Sequence, residues 1–347
     1  MGGYTLVTGG AGFIGSHAAE YFAGKGQDVV VLDNLSRAEL LGKSDKNASY
    51  NWNYLKKIKG VKLIKGDARD SSLVEKLAKD ASVILHAAAQ TAVTTSVVNP
   101  APDFSVNATG TFTVLEAARK SRRKPTVVYC STNKVYGHNV NDINVKELKT
   151  RYAFNEKKIR GITETFSIDL CEHTPYGCSK LTGDLYVQDY AYQYGIRTGV
   201  FRMSCIYGTR QFGVEDQGWV AWFSIATLKG SPITIYGDGK QVRDVLFVTD
   251  VVKAYDAFIE SSIPHAVFNT GGGPENTMSL IELLGILEKE TGMRSKISYS
   301  DWRPSDQKVY ISDITKIKKT LKWKPAISPE EGVKRIISWV KGNISVF

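Results

Sequence analysis

Tyr4-Thr-Leu-Val-Thr-Gly-Gly-Ala-Gly-Phe-Ile-Gly-Ser-His17 stands near the start of the chain. The run from Tyr4 to Thr8 has the β-branched, apolar character of a strand. Glycines follow at once, and behind them begins a helical apolar pattern. Gly10, Gly12 and Gly15 match G-x-G-x-x-G, while Gly9, Gly12 and Gly15 match the variant G-x-x-G-x-x-G. Such glycines allow a tight turn, close approach of backbone to a pyrophosphate, and close helix–strand packing. The N-terminus of the helix adds free N–H groups and a positive dipole end. A second strand, Asp28-Val-Val-Val-Leu-Asp33, ends in an acid 18 residues after Gly15. There a carboxylate accepts hydrogen bonds from the hydroxyls of an adenosine ribose. Asp33 would also repel a 2′-phosphate, which favours NAD over NADP; Arg37, close by in sequence, is the residue that could accommodate that phosphate.

Strands and helices go on alternating. Lys62–Lys65 reads as a strand ending at Gly66-Asp67, Ser71–Lys79 as a helix, and Ser82–His86 as a buried strand running into Ala87-Ala-Ala-Gln90. Asp103–Lys120 reads as one amphipathic helix carrying Asn107 and Gly110, and Thr126–Cys130 as a strand ending at Ser131-Thr132. This rhythm implies an α/β fold of Rossmann type, a doubly wound parallel sheet. Ligands of such sheets bind beyond the carboxyl ends of the strands. Gly9, Asp33, Asp67, Ala87 and Thr132 all stand there. Residues 138–173 break the rhythm and read as a long loop with little regular structure.

Tyr176 and Lys180 lie four residues apart in Thr-Pro-Tyr-Gly-Cys-Ser-Lys. That spacing puts both side chains on one helix face. An ammonium near a phenol favours the phenolate and is expected to lower the tyrosine pKa from about 10 toward working pH. A phenol tuned in this way can take a proton from a sugar hydroxyl.

Composition fits a soluble enzyme. At 347 residues the chain exceeds the size of a single core, so two lobes are expected. It has no run of 18 apolar residues and no basic-then-apolar leader, which points to a cytoplasmic protein without a membrane span. The four cysteines form no C-x-x-C pair, and the five histidines no His-x-x-x-His, so no metal site is expected. The formal charge of +10 is dispersed over small clusters with no nucleic-acid motif beside them, and reads as solvated surface with an attraction for anionic ligands.

Thr8-Gly-Gly-Ala-Gly-Phe-Ile-Gly15, Leu32-Asp-Asn-Leu-Ser36, Gly66-Asp67, His86-Ala-Ala-Ala89, Asn107-x-x-Gly-Thr111, Tyr176-x-x-x-Lys180 and Val242-Arg-Asp244 together resemble the extended short-chain dehydrogenase/reductases that act on nucleotide sugars. The resemblance covers nearly the whole chain. At Cys130-Ser-Thr-Asn-Lys-Val-Tyr-Gly137, the long segment before Tyr176, Arg210-Gln-Phe, and Asp216-Gln-Gly-Trp-Val220 it narrows to the CDP-paratose 2-epimerase branch.

The resemblance implies that NAD is the cofactor. Gly9, Gly12, Phe13, Ile14, Asp33, Asn34, Ser36, Arg37, Asp67, Ala68, Ala87, Ala88, Ala89, Gln90, Asn107, Tyr176 and Lys180 would hold it. It implies Tyr176 as base, Lys180 as its electrostatic partner and Thr132 as hydrogen-bond partner of the reacting sugar oxygen. Asn133 and Lys134 would line the sugar pocket. Ser204, Gln217, Arg243, Arg303 and Asp306 fall where relatives contact sugar, diphosphate or nucleoside ribose; for Arg243 the bland alternative is an ion pair with Asp244 or Asp250. The implied reaction is epimerisation through a transient keto-sugar. A 4-epimerase acting on a UDP-sugar is the main alternative. A 4,6-dehydratase would want an acid pair beside Thr132, where Asn133 and Lys134 stand. A non-catalytic NAD-binding protein would not need Thr132, Tyr176 and Lys180 together.

The expected lobes are a NAD-binding domain at 1–202 and 240–262 and a smaller, discontinuous nucleotide-sugar lobe at 203–239 and 263–347, with the site in the cleft between them. Helices Asp103–Lys120 and Cys178–Tyr194 carry apolar residues on more than one face, among them Phe104, Phe112, Leu115, Leu185, Tyr186 and Tyr190. In relatives these helices pair across a two-fold axis, so a homodimer, or a homotetramer as a dimer of dimers, is expected.

Overall fold

The computed structural model describes residues 3–37, 49–156, 158–303 and 306–347. The chain divides into two compact units. The first comprises Met1–Val135, Thr174–Arg202 and Val252–Phe268; the second comprises Tyr136–His173, Met203–Val251 and Asn269–Phe347.

The first unit is built on strands β1 (Tyr4–Thr8), β2 (Val29–Asp33), β3 (Val61–Lys65), β4 (Ala81–His86), β5 (Thr126–Thr132) and β8 (Thr198–Met203), with β12 (His265–Thr270) at one edge. The sheet runs β12-β8-β5-β4-β1-β2-β3. The pairs β3–β2, β2–β1, β1–β4 and β4–β5 are all parallel. The order reverses between β1 and β4, the place where doubly wound sheets bind ligands. Its helices are α1 (Phe13–Gly24), α2 (Tyr50–Leu55), α3 (Ser71–Ala78), α4 (Val93–Val98), α5 (Pro100–Phe104), α6 (Gly110–Lys120) and α7 (Pro175–Tyr194). Leu6, Leu32, Ile84, Val114, Leu115, Val127, Tyr129 and Val200 share one core. Each buried Val or Leu there contributes roughly 1.5–3 kcal/mol. Near-continuous apolar strands such as Val29-Val-Val-Leu32 are what a sheet covered on both faces requires.

Two helices show how local sequence sets the frame. α7 starts at Thr174, whose Oγ1 accepts from Gly177 N at 3.2 Å, with Pro175 in the first turn, and it stops at left-handed Gly195. The expected single helix 103–120 is three pieces: α5, a π-helical turn at Ser105–Thr109, and α6. One extra residue shows in the sequence only as a one-residue slip of the apolar pattern, easily lost in so short a helix, and such turns gather at functional sites.

The second unit centres on β11 (Val242–Phe247), which pairs antiparallel with β13 (Thr277–Ser279) and parallel with β15 (Val309–Tyr310) and β9 (Cys205–Tyr207). β10 (Ile233–Tyr236) and β14 (Ile297–Ser300) form a separate parallel pair. Its helices include α8 (Trp219–Lys229), α10 (Leu280–Thr291), α11 (Thr315–Leu321) and α12 (Pro329–Gly342), while α9 (Val248–Ile259) follows β11. The segment 138–173, read as irregular, holds an antiparallel hairpin of β6 (Val145–Glu147) and β7 (Tyr152–Phe154). Strands of three residues are too short to show alternation. The hairpin packs Tyr152 against Val242 and Val309, and Tyr152 N donates to Lys240 O at 2.8 Å. Compactness therefore groups 136–173 and 240–251 with the second unit, whereas the sequence boundaries placed them in the first.

Among the described residues no helix is long and apolar enough to cross a membrane.

Candidate functional site

The glycine turn after β1 is built as its sequence requires. Gly9 has φ +67°, and a Cβ there would lie 2.5 Å from Ala88 N in the loop after β4. A Cβ on Gly15 would lie 2.3 Å from Gly9 O. Neither position therefore accepts a side chain without displacing backbone. Gly12 caps α1 without a side-chain partner, so the first N–H groups of this 12-residue helix lie beside a turn whose largest side chain is the methyl of Ala11. Phe13 and Ile14 form the first turn of α1 and are half-buried.

Asp33 ends β2. Its Oδ2 accepts from Ala11 N at 2.9 Å and its Oδ1 from Leu35 N at 2.8 Å. Burial pushes its carboxyl up, and these backbone N–H groups, with that of Gly12, pull it back down. Asn34 Oδ1 accepts from Ser36 N and Oγ, and Asn34 Nδ2 donates to Asp67 Oδ2 at 2.9 Å. Arg37 is half-buried, and Ala68 likewise follows Asp67 half-buried. Arg69, which sequence reasoning missed, grips Asp67 through Nε (2.9 Å) and Nη2 (2.7 Å) and holds that carboxyl well below the usual range. Its Nη1 also reaches Ser105 Oγ at 2.9 Å.

Ala87, Ala88 and Ala89 leave β4 half-buried; Ala87 N donates to Thr8 O at 3.1 Å. Gln90 is buried and clamped by Asn107, whose Oδ1 accepts from Gln90 N (2.9 Å) and whose Nδ2 donates to Gln90 O (3.0 Å). Asn107 Nδ2 also reaches Asp103 Oδ1 at 3.1 Å and Ser179 Oγ at 3.0 Å. Completely buried in the π-helical turn, Asn107 ties the loop after β4 to α7. A dinucleotide fits this set of residues. The cradle at Gly9 and Gly15 has no room for side chains, the helix N-terminus faces it, and two carboxylates stand at the ends of adjacent strands.

Tyr176 sits in the first turn of α7, its N–H bonded to Ser96 Oγ at 3.1 Å. Its phenol is hydrogen-bonded to Thr132, at the end of β5. Thr132 Oγ1 accepts from Lys134 N at 3.2 Å, and half-buried Asn133 and Lys134 follow it. Lys180 is buried one turn along, its Nζ 4.2 Å from the centre of the Tyr129 ring, and Tyr129 Oη donates to Lys180 O at 3.2 Å. His86 hydrogen-bonds Thr8 and Thr111, and burial, with Lys180 nearby, pushes its pKa down to about 3. It is a neutral structural imidazole.

The electrostatics correct one expectation. Tyr176 is pushed up to about 12, not lowered. Burial is the chief cause, the Thr132 hydrogen bond opposes it, and Asp103 and Cys130 add to it. Lys180 is itself pushed down to about 8 by burial, against the pull of Cys130, Asp184 and Asp103. Helix spacing shows that the two groups share a face. It does not show that both lie where water cannot solvate a charge, and there desolvation outweighs an i,i+4 neighbour.

The remaining predicted residues belong to the second unit. Arg243 Nη2 pairs with Asp306 Oδ1 at 2.6 Å, and its Nη1 donates to Gln307 O at 2.6 Å. Its carboxylate partner is thus Asp306, not Asp244 or Asp250. Arg303 lies 4.1 Å over the Tyr236 ring, pairs with Asp216 at 3.1 Å and donates to Glu215 O at 2.9 Å. Gln217 exchanges backbone hydrogen bonds with Val214. Ser204 Oγ donates to buried Asp244. Tyr236 and Asp216 join the Arg303 cluster without having been picked out from sequence.

The profile of the NAD dependent epimerase/dehydratase family matches residues 5–271. The chain is 39% identical over 345 residues to CDP-paratose 2-epimerase of Salmonella typhi, across 96% of this chain and 98% of that one. The crystal structure of UDP-glucose 4-epimerase with UDP-glucose from Thermotoga maritima superposes with a TM-score of 0.82 at 32% identity, covering 98% of this chain and 99% of that one. UDP-glucuronic acid 4-epimerase from Bacillus cereus, solved with UDP-glucuronic acid and NAD, gives 0.81 at 26% identity, covering 98% and 99%. With a dinucleotide cradle at one end of its parallel sheet and a Thr–Tyr–Lys set beside it, this chain belongs to the NAD-dependent epimerase/dehydratase family, an enzyme family whose cofactor is NAD.

Proposed function

We propose that the protein inverts carbon 2 of a CDP-linked sugar, with Thr132, Tyr176 and Lys180 at the reacting hydroxyl. The observation that carries the placement of the chemistry is the hydrogen bond between Thr132 and Tyr176, with Lys180 one turn away. The choice of carbon 2 is supported by Ser131-Thr-Asn-Lys134, by Asp216-Gln-Gly-Trp219, and by the 39% identity to the Salmonella enzyme. A second reading, inversion at carbon 4 of a UDP-sugar, is favoured by the Thermotoga structure and its ligand.

In this reading Gly9, Gly12 and the start of α1 receive the pyrophosphate, and Asp33 the adenosine ribose. When bound, NAD supplies a hydride acceptor that carries positive charge. Thr132 orients the sugar oxygen, and Tyr176 takes its proton and returns it at the end of turnover. Because burial disfavours the Tyr176 phenolate, that anion needs a cation in the same dry surroundings, and Lys180 is the chain's own contribution. Asn133 and Lys134 line the sugar, with Ser204 and Gln217 as further contacts. Arg243 and Arg303 bind diphosphate, guanidinium being a bidentate partner for phosphate oxygens, and Asp306 takes the nucleoside ribose.

We also assign the assembly as a homodimer. Phe104, Phe112, Leu185 and Tyr186 are exposed on α5, α6 and α7, and Phe112 meets Tyr186 edge to face at 5.9 Å. Apolar side chains grouped in this way suit an isologous contact.

Incubation with a panel of CDP-, UDP- and dTDP-sugars, followed by NMR of the products, tests the reading. A CDP-sugar inverted at carbon 2 is the expected result. Turnover of UDP-sugars alone, at carbon 4, would replace it with the second reading.

A further inference from the structure

Behind the Thr–Tyr–Lys set lies a buried charged cluster that proton transfer itself does not use. Asp184 is completely buried on α7, one turn beyond Lys180 and two beyond Tyr176. Its Oδ2 accepts from Ser131 Oγ at 2.7 Å and from Arg202 Nε at 3.0 Å. Its Oδ1 accepts from Gln188 Nε2 at 2.6 Å and from Arg202 Nη2 at 3.1 Å. Four hydrogen bonds thus converge on one carboxylate, and their donors come from three elements. Ser131 lies on β5 next to Thr132, Arg202 lies on β8, and Gln188 lies one turn further along α7.

We infer that Asp184 is a positioning residue that sets the register of α7 against β5, and so the placement of the Tyr176 and Lys180 side chains relative to Thr132. Ser131 and Thr132 are consecutive residues at the end of β5. The strand end is therefore tied to α7 at two points two helical turns apart, by Ser131 to Asp184 and by Thr132 to Tyr176. A helix can slide or roll on a sheet when only apolar contacts join them, because such contacts are non-directional. Hydrogen bonds from two adjacent strands into one carboxylate remove that freedom. Asp184 also reaches the chemistry through charge. Lys180 is faced by Asp184 from its own helix, by Cys130 from β5, by Asp103 from α5 and by neutral His86 from β4, with the Tyr129 ring beneath it. Asp184 is one of the groups that keep Lys180 protonated against burial.

The inference rests on the proton-transfer reading of Tyr176, and the test separates the two. Removing one member of a buried ion pair leaves an uncompensated charge and threatens the fold, whereas replacing both by apolar residues of similar volume is often neutral or stabilising. The variant to make is therefore Asp184→Leu with Arg202→Met, alongside Ser131→Ala, which leaves the pair intact. Both are expected to keep the wild-type thermal midpoint within a few degrees and to retain NAD. The double variant is expected to lose kcat at least tenfold with KM little changed, and its Lys180, followed by ¹⁵Nζ NMR, to titrate at lower pH than in wild type. Ser131→Ala is expected to lose kcat by a smaller factor, with Lys180 titrating as in wild type. A folded double variant with wild-type kcat and an unmoved Lys180 titration would overturn the positioning role. Tyr176→Phe with undiminished turnover would instead overturn the underlying reading.

Discussion

The ammonium of Lys180 lies 4.2 Å over the centre of the Tyr129 ring, in a core where both residues are buried. A ring face attracts a cation, by up to about 2 kcal/mol when desolvated. Even so, Lys180 is held down to about 8. Its ammonium is thus less favourable in the folded chain than in the unfolded one, where 10.5 is the ordinary value. Below about pH 8 both states are charged and the fold bears the burial cost. Between about 8 and 10.5 the unfolded chain binds more protons, so stability gains with rising pH. Lys180→Met is therefore expected to be as stable as wild type or more so at pH 7, and wild type should gain on it from pH 8 to 10.5. Thermal unfolding of the pair across that range is the measurement. A wild type that loses ground to the variant in that window would contradict the burial argument.

Tyr176→Phe removes the phenol and keeps the ring that packs at the start of α7. Cofactor binding is expected to survive while turnover falls about a hundredfold or more, the usual scale for a general base. Single-turnover kinetics on the accepted sugar nucleotide would show it. Turnover within threefold of wild type would remove Tyr176 from the chemistry.

Asp33 is bonded to Ala11 N and Leu35 N, so its carboxylate is fixed at the end of β2, where the proposed reading puts the adenosine ribose. NAD is expected to bind at least tenfold more tightly than NADP in a calorimetric titration. Asp33→Asn should narrow that ratio and also weaken NAD binding, since it replaces one acceptor oxygen beside the glycine turn by a donor. A preference for NADP in wild type would shift attention to Arg37.

Phe112→Glu puts a charge at the centre of the exposed aromatic pair with Tyr186. If α6 and α7 form the dimer contact, light scattering at micromolar concentration should give a dimer for wild type and a monomer for the variant. A monomeric wild type would end the assembly reading.

Epimerisation by hydride removal and return leaves its own isotopic mark. Substrate deuterated at the reacting carbon should keep its label in the product, with no net change in NADH absorbance. Loss of the label to solvent would mean deprotonation chemistry. Turnover slowed by deuterium at carbon 4 and not by deuterium at carbon 2 would move the reaction to the other position while keeping the same three residues.

Much of the first unit was legible because its instructions are local. Val29-Val-Val-Leu-Asp33 is a strand with its acid in place, and Gly9, Gly12 and Gly15 admit one kind of turn. What escaped was whatever depends on distant partners. Arg69 follows Asp67 by two residues, yet nothing in that spacing says it will grip the carboxylate and Ser105 together. The hairpin at 145–154 exists because Tyr152 finds Val242 and Val309, some ninety and more residues away. The direction of the Tyr176 shift failed for the same reason. A spacing of four reports proximity, whereas burial belongs to the whole fold.

The π-helical turn at Ser105–Thr109 holds one residue more than an ordinary helix would need, and Asn107 sits inside it. Deleting one residue there would let the backbone relax to ordinary α-helix and leave what lies downstream close to its present orientation, since a wide turn of five residues and an α-turn of four sweep nearly the same angle. Phe112 would keep its outward place and Leu115 its place in the core, while Asn107, inside the turn, would lose its hold on Gln90. Aligned relatives should therefore differ here by a one-residue gap more readily than by exchange of Asn107, and a designer grafting this helix should keep the extra residue wherever that hold is wanted.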